Sequence, residues 1–145
     1  MKISMKSDYA VRAMTDLALH LGEGPVQSAD IAARQGIPEP YLDQLLTILR
    51  KAGLIRSIRG PQGGHILARP AEEIKLSEVI VVLEGSFAPM YCVDEATSCE
   101  RSGTCVQREI WKSVKEATQE LLQSTTIHDL AQRELRQQSR VMYHI

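Results

Sequence analysis

The 145-residue chain is short of the features that mark enzymes, membrane proteins and disulfide scaffolds. No apolar run approaches the roughly 20 residues needed to cross a bilayer, so no membrane partner is expected. Asp8, Arg12, Asp16 and His20 interrupt the first apolar stretch at helical spacing, and no small-residue cleavage site follows. The N-terminus therefore does not read as a secretory signal, and a cytoplasmic location is expected. There is no phosphate loop and no nucleophile elbow. The four histidines, His20, His65, His128 and His144, are scattered without a base and orienter pairing. Catalysis is not expected. Aromatics are few, with one Trp, one Phe and four Tyr. Cysteine is confined to three residues, an odd set that cannot pair completely. A chain of this length buries a core without disulfide staples, and reduced thiols in such a chain more often bind metal.

One stretch lacks acidic residues altogether. Between Gln44 and Ala71 there are five basic side chains, Arg50, Lys51, Arg56, Arg59 and Arg69, and no acid. From Glu72 to Glu100 there are seven acids and one Lys. The net charge of −1 hides this division. A basic block beside an acidic one fits a surface for a polyanion, and also fits ordinary solvated charge.

Apolar residues at Ala10, Ala13/Met14, Leu17/Ala18 and Leu21 predict an amphipathic helix over Ser7 to Leu21, ended by Gly22, Gly24 and Pro25. Ser28 reads as the cap of a short helix to Gln35. Gly36-Ile37-Pro38 breaks it, and Leu42, Leu45, Leu46 and Leu49 mark a second helix from Glu39 to Ala52, stopped by Gly53. Two short helices around a tight turn form a helix-turn-helix. Behind it, Leu54 to Ile58 and His65 to Ala68 flank the Gly-rich turn Arg59-Gly60-Pro61-Gln62-Gly63-Gly64, the pattern of a hairpin. A short helix capped by Ser77 runs to Glu84, and an aperiodic loop leads to Cys105. Ile110, Val114, Ala117 and Leu121 then give a narrow seam on a long helix. Thr126 and Asp129 open a last helix to about Gln138 as a capping box. The expected fold is mainly α with a small β-hairpin: a winged helix-turn-helix followed by a long C-terminal dimerisation helix. The expected division is residues 1–85 for DNA binding, 86–105 for the cysteine loop, and 106–145 for dimerisation and a final helix returning to the N-terminal part.

The second helix of such a motif enters the major groove N-terminus first. Glu39, Tyr41, Asp43 and Gln44 occupy that end, with Gln44 suited to adenine, Asp43 to cytosine and Tyr41 to the backbone. Ser28 lies at a helix start that suits a phosphate. Arg50 and Lys51, far along the second helix, read as backbone contacts, and Arg56 as a further DNA-binding candidate. Arg59, at the tip of the wing beside Gly60 and Gly63, is placed for the minor groove. The seam of Ile110, Val114, Ala117 and Leu121 fits a homodimer, the usual state of a winged helix that reads double-stranded DNA. It also fits packing on the chain's own first helix.

Cys92, Cys99 and Cys105 follow C-x6-C-x5-C within one loop. Grouped thiolates hold iron–sulfur clusters or soft metals. Zinc is an alternative, although these spacings exceed those of zinc knuckles. A reversible disulfide switch is another.

The run Tyr41-Leu42-Asp43-Gln44-Leu45, with Leu49 to Ile55 and Ile58-Arg59-Gly60-Pro61-Gln62-Gly63-Gly64-His65, resembles winged-helix repressors of the IscR/NsrR/CymR type. Lys6 to Ala13 and Thr125 to Leu130 resemble their first and last helices. The resemblance covers nearly the whole chain. It implies a homodimeric transcriptional repressor on palindromic promoter DNA. In the cluster-binding branch it implies an iron–sulfur cluster, 4Fe-4S or 2Fe-2S, on the three loop cysteines, sensing nitric oxide, iron or cluster supply, or redox state. Members without these cysteines bind no cluster, and CymR-type members answer to a protein partner. Where IscR-type members place a His ligand two residues after the third Cys, this chain has Gln107. Where NsrR-type members supply an Asp from the other subunit, it has Asp8. The resemblance is thus to NsrR or RirA rather than to IscR proper. Asp8 also fits a first-turn acid paired with Arg12 at i+4.

Overall fold

A computed structural model describes residues 2–144. These residues form seven α-helices and one hairpin, and four of the other helices pack on the first, α1 (Met5–Leu19). Ser4 caps it by accepting from the Ser7 N–H at 3.2 Å. Its buried face is Ala10, Ala13, Met14 and Leu17, each at most 2% exposed. The two alanines let neighbouring helices approach closely, and each large buried apolar side chain contributes about 1.5–3 kcal/mol. The helix stops two residues short of the sequence expectation, and Leu21 lies exposed in the turn that follows.

The motif consists of α2 (Ser28–Gln35) and α3 (Glu39–Lys51). Gln27, not Ser28, is the N-cap of α2, which leaves the Ser28 hydroxyl free of capping duty. Gly36 takes a left-handed conformation at the C-terminus of α2, at φ 65°. Leu42, Leu45, Leu46 and Leu49 turn inward from α3. The wing pairs β1 (Ile55–Ile58) with β2 (Gly64–Leu67), antiparallel, with Ser57 opposite His65. Val26 and His65 exchange backbone hydrogen bonds at 2.9 and 2.7 Å, adding a one-residue third strand.

After a turn of 3-10 helix, α4 (Leu76–Glu84) packs on α1. Its cap is Lys75, one residue before Leu76, and Ser77 is buried inside the helix. The cysteine segment carries a single-turn helix, α5 (Tyr91–Asp94), and leads into α6 (Val106–Ser124). The last helix, α7 (Ile127–Tyr143), opens on the expected capping box: Thr126 and Asp129 exchange hydrogen bonds at 2.9 and 3.1 Å. It runs five residues past the sequence expectation. Leu76 donates to the Thr125 carbonyl at 2.8 Å and Ile127 to that of Ile74 at 2.9 Å. These bonds fix the α6–α7 turn beside α4, and α7 packs along α1. Among the described residues, no helix is long and apolar enough to cross a membrane.

A candidate DNA-reading surface and a cysteine loop

Burying the four leucines of α3 obliges its other face to turn outward. Glu39, Asp43, Gln44 and Arg50 are exposed there. Tyr41 is 36% exposed because its ring meets Tyr9 of α1 edge-on, with centroids 5.7 Å apart. Arg59 and Gly60 stand exposed at the wing tip, whereas Gly63 is buried beneath it. A Cβ at Gly63 would collide with the Ile58 carbonyl, and one at Gly64 with the Val26 backbone. Those two glycines let the hairpin close against the motif. Arg56 donates to the Ala68 carbonyl at 3.4 Å and so is partly engaged within the wing. Ser28, Glu39, Ile58, Gly60, Gly63 and His65 line one shallow groove between motif and wing.

His65 organises that groove. Its Nε2 lies 3.1 Å from Ser28 Oγ on α2, and its Nδ1 lies 3.0 Å from Ser57 Oγ on β1. Burial pushes the imidazole below its ordinary range; Asp43 opposes this and Arg50 reinforces it. In the sequence His65 is visible only as a wing residue, with no trace of its bridge to Ser28.

The cysteine segment is held at three places. At its root, Glu84 accepts from the Ser4 N–H at 2.8 Å and the Ser7 hydroxyl at 2.6 Å, and so is fastened to the start of α1. These bonds hold the Glu84 carboxyl below its usual range. Further on, Arg108 donates to the Cys92 carbonyl at 3.0 Å, and Lys115 pairs with Asp94 at 2.6 Å. Cys105 is the N-cap residue of α6. All three thiols are free: Cys92 and Cys105 are half-buried and Cys99 is exposed. Ser102, between the last two, carries a buried hydroxyl without a partner, the one such side-chain atom among the described residues.

Three unpaired thiols and an unsatisfied buried hydroxyl on one short segment fit, by donor type, a thiophilic cluster or metal. The thiols are not gathered, however. No group of three His, Cys, Asp or Glu side chains stands at ligating distance among the described residues. Asp8 is paired with Arg12 at 2.9 Å, and that guanidinium lies 5.4 Å from the Tyr9 ring centre. In the last turn of α1, Asp16 is 1% exposed. It receives a bidentate pair from Arg34 at 3.0 and 2.8 Å and a third bond from Gln35 at 3.1 Å. No local pattern signals that this acid ties α1 to α2.

Along α6 the seam stays uncovered. Ile110 is 59% and Leu121 65% exposed, Ala117 is exposed and Val114 half-buried. The stripe does not pack on α1 of its own chain.

A helix-turn-helix whose reading helix faces outward beside a glycine-closed wing defines a winged-helix DNA-binding regulator. A family model described as "Rrf2: Iron-dependent Transcriptional regulator" matches residues 3–133, and the chain belongs to this family. It is 42% identical over 130 residues to protein rrf2 of Nitratidesulfovibrio vulgaris, covering 90% of this chain and 87% of that one. It is 40% identical to the HTH-type transcriptional regulator IscR of Photorhabdus laumondii, covering 90% and 79%. Among solved structures, IscR of T. potens superposes with a TM-score of 0.75 at 45% identity, covering 92% of this chain and 88% of that one. CymR of B. subtilis, described as the global cysteine regulator, superposes at 0.78 with 38% identity, covering 92% and 98%. The family description and the IscR relative's name both specify a transcriptional regulator.

Proposed function

We propose that the chain is a homodimeric repressor of palindromic promoter DNA whose operator affinity is switched by an iron–sulfur cluster, 4Fe-4S or 2Fe-2S, in the cysteine loop. Cys92, Cys99 and Cys105 supply the thiolates. Asp8 of the partner subunit supplies an oxygen ligand in place of the residue at Gln107. The observation that carries the reading is the setting of the three free thiols, on a segment rooted by Glu84 in α1 and pinned by Arg108 and Lys115 to α6. When bound, the cluster supplies labile iron that reacts with nitric oxide and oxidants. The protein's part is mechanical. Asp8 leaves Arg12 for its ligand role, and α1, packed on α2 and α3, carries the change to the reading helix. Residues 1–85 read DNA, 86–105 sense, and 106–145 dimerise through Ile110, Val114, Ala117 and Leu121. Glu39, Asp43 and Gln44 face the major groove. Ser28, Tyr41, Arg50 and Arg56 face the backbone, and Arg59, at the wing tip beside Gly60 and Gly63, enters the minor groove.

A second reading omits the cluster. The likeness to CymR, together with thiols that lie apart, favours control by thiol oxidation or by a protein partner. Anaerobic purification separates the two. Visible charge-transfer absorption with stoichiometric iron and acid-labile sulfide supports the first reading. A colourless protein, metal-free or holding zinc, sinks it. Asp8→Ala should then destabilise the cluster and change its nitric-oxide response. An unchanged spectrum and response would remove Asp8 from the ligand set.

A further inference from the structure

The wing and the reading head meet at one side chain that has a hydroxyl on each ring nitrogen. His65 Nε2 faces Ser28 Oγ at 3.1 Å, and Nδ1 faces Ser57 Oγ at 3.0 Å. Ser28 sits in the first turn of α2, where its hydroxyl makes no capping bond. A neutral imidazole offers one donor and one acceptor, so only two arrangements are available. With the proton on Nδ1, Ser28 spends its single O–H on Nε2 and can only accept. With the proton on Nε2, the ring donates to Ser28 Oγ and accepts from the Ser57 hydroxyl, and the Ser28 O–H is left to donate outward. A DNA phosphate, which only accepts, selects the second arrangement.

We propose that His65 is a positioning residue for DNA binding. Through the chain Ser57–His65–Ser28 it presents the Ser28 hydroxyl as a donor to a backbone phosphate and locks the wing's angle against α2. This rests on the reading of the groove lined by Ser28, Glu39, Gly60 and His65 as the DNA-facing surface. It adds a residue that contacts no DNA itself.

The test starts with the full-length wild-type protein, used to select a binding site from a pool of random duplexes. Failure at that step would refute the DNA-facing reading as a whole. Binding of the selected duplex is then measured by anisotropy for His65→Phe, His65→Gln, Ser28→Ala and Ser57→Ala, across a salt series and across about pH 6–8. His65→Phe and Ser28→Ala are each expected to weaken binding roughly tenfold per half-site, with the double variant no weaker than either single one. His65→Gln, whose amide can donate to Ser28, should recover most of the loss. The salt slope should stay unchanged, because no charge is removed. If His65→Phe does not fold, Ser28→Ala against Ser28→Thr, which keeps the hydroxyl, decides the same question. Wild-type affinity in Ser28→Ala overturns the proposal, as do additive losses. So does an affinity that rises toward low pH with a salt slope reduced by about one in His65→Phe. That last result would make protonated His65 itself the phosphate contact, titrating among Glu39, Asp43, Arg50 and His20.

Discussion

Replacing Ile110 or Leu121 by Gln should split the proposed dimer while leaving the protomer intact. Both side chains stand on α6 with 59% and 65% of their surface open to water. Full burial of such a side chain is worth about 2.5 kcal/mol, so covering the open three-fifths contributes about 1.5 kcal/mol. A two-fold interface counts each substitution twice, giving about 3 kcal/mol per dimer for either single variant. That corresponds to a dissociation constant raised roughly 150-fold. Gln keeps the helical propensity of the segment, and neither residue belongs to the buried core. Sedimentation equilibrium over a concentration series reads the shift, and circular dichroism reads the protomer. A dimer of unaltered affinity in both variants would mean that the stripe is not the interface. A large loss of helicity at dissociating concentrations would mean that the stripe is structural within the protomer.

Other outcomes follow from individual contacts. Asp16→Ala strands Arg34 and Gln35 and should cost about 2–3 kcal/mol in urea unfolding, a figure reduced for the partial exposure of Arg34. Asp16→Asn, which keeps an acceptor, should recover part of it. Glu84 is held below its usual carboxyl range by Ser4 and Ser7, so its stabilising effect is complete above the ordinary value of about 4.3. That effect fades as pH falls through the depressed folded value. Glu84→Gln should therefore flatten the acid side of the stability profile and leave a loss at neutral pH, and an unaltered profile would show that the root contact adds nothing to stability. Arg59→Ala should weaken operator binding about tenfold and reduce the salt slope by about one per half-site, with unchanged melting. Full affinity in this variant would take the wing tip out of DNA reading.

Local signals carried most of the architecture. The leucine spacing of α3, the stops at Gly36 and Gly53, the Thr126–Asp129 capping box and the Gly-rich wing each report a nearby constraint, and each lies where the sequence placed it. Helix ends were less legible. Gln27 and Lys75 cap α2 and α4, although Ser28 and Ser77 are the better capping types. Ser77 is buried within α4, and Ser28 faces His65. Contacts between distant residues left no sequence trace at all. The pairs Asp16–Arg34, Glu84–Ser7 and His65–Ser28 are separated by 18, 77 and 37 positions. Nothing in local periodicity can reveal a partner so far along the chain. The cysteines are an intermediate case. Their grouping along the chain was readable, whereas their separation in space was not.

Those distant contacts also offer a route by which the proposed switch in the loop would reach DNA. The first helix is gripped at its start by Glu84, in its last turn by the Asp16–Arg34 pair, and between them by the Tyr9 ring against Tyr41 of the reading helix. A helix held at three points moves as a rod, because bending it would break backbone hydrogen bonds while shifting it only exchanges side-chain contacts. On the proposed switch, movement at the root of the cysteine segment would reach Tyr41 through these packed side chains. Tyr9→Ala removes the last of these joints without touching a thiol, Glu84 or a base-facing residue. It should leave loop chemistry unchanged and shrink the difference in operator affinity between the two states of the loop. If that difference persisted at its full size, the coupling would have to run through the dimer helix α6 instead.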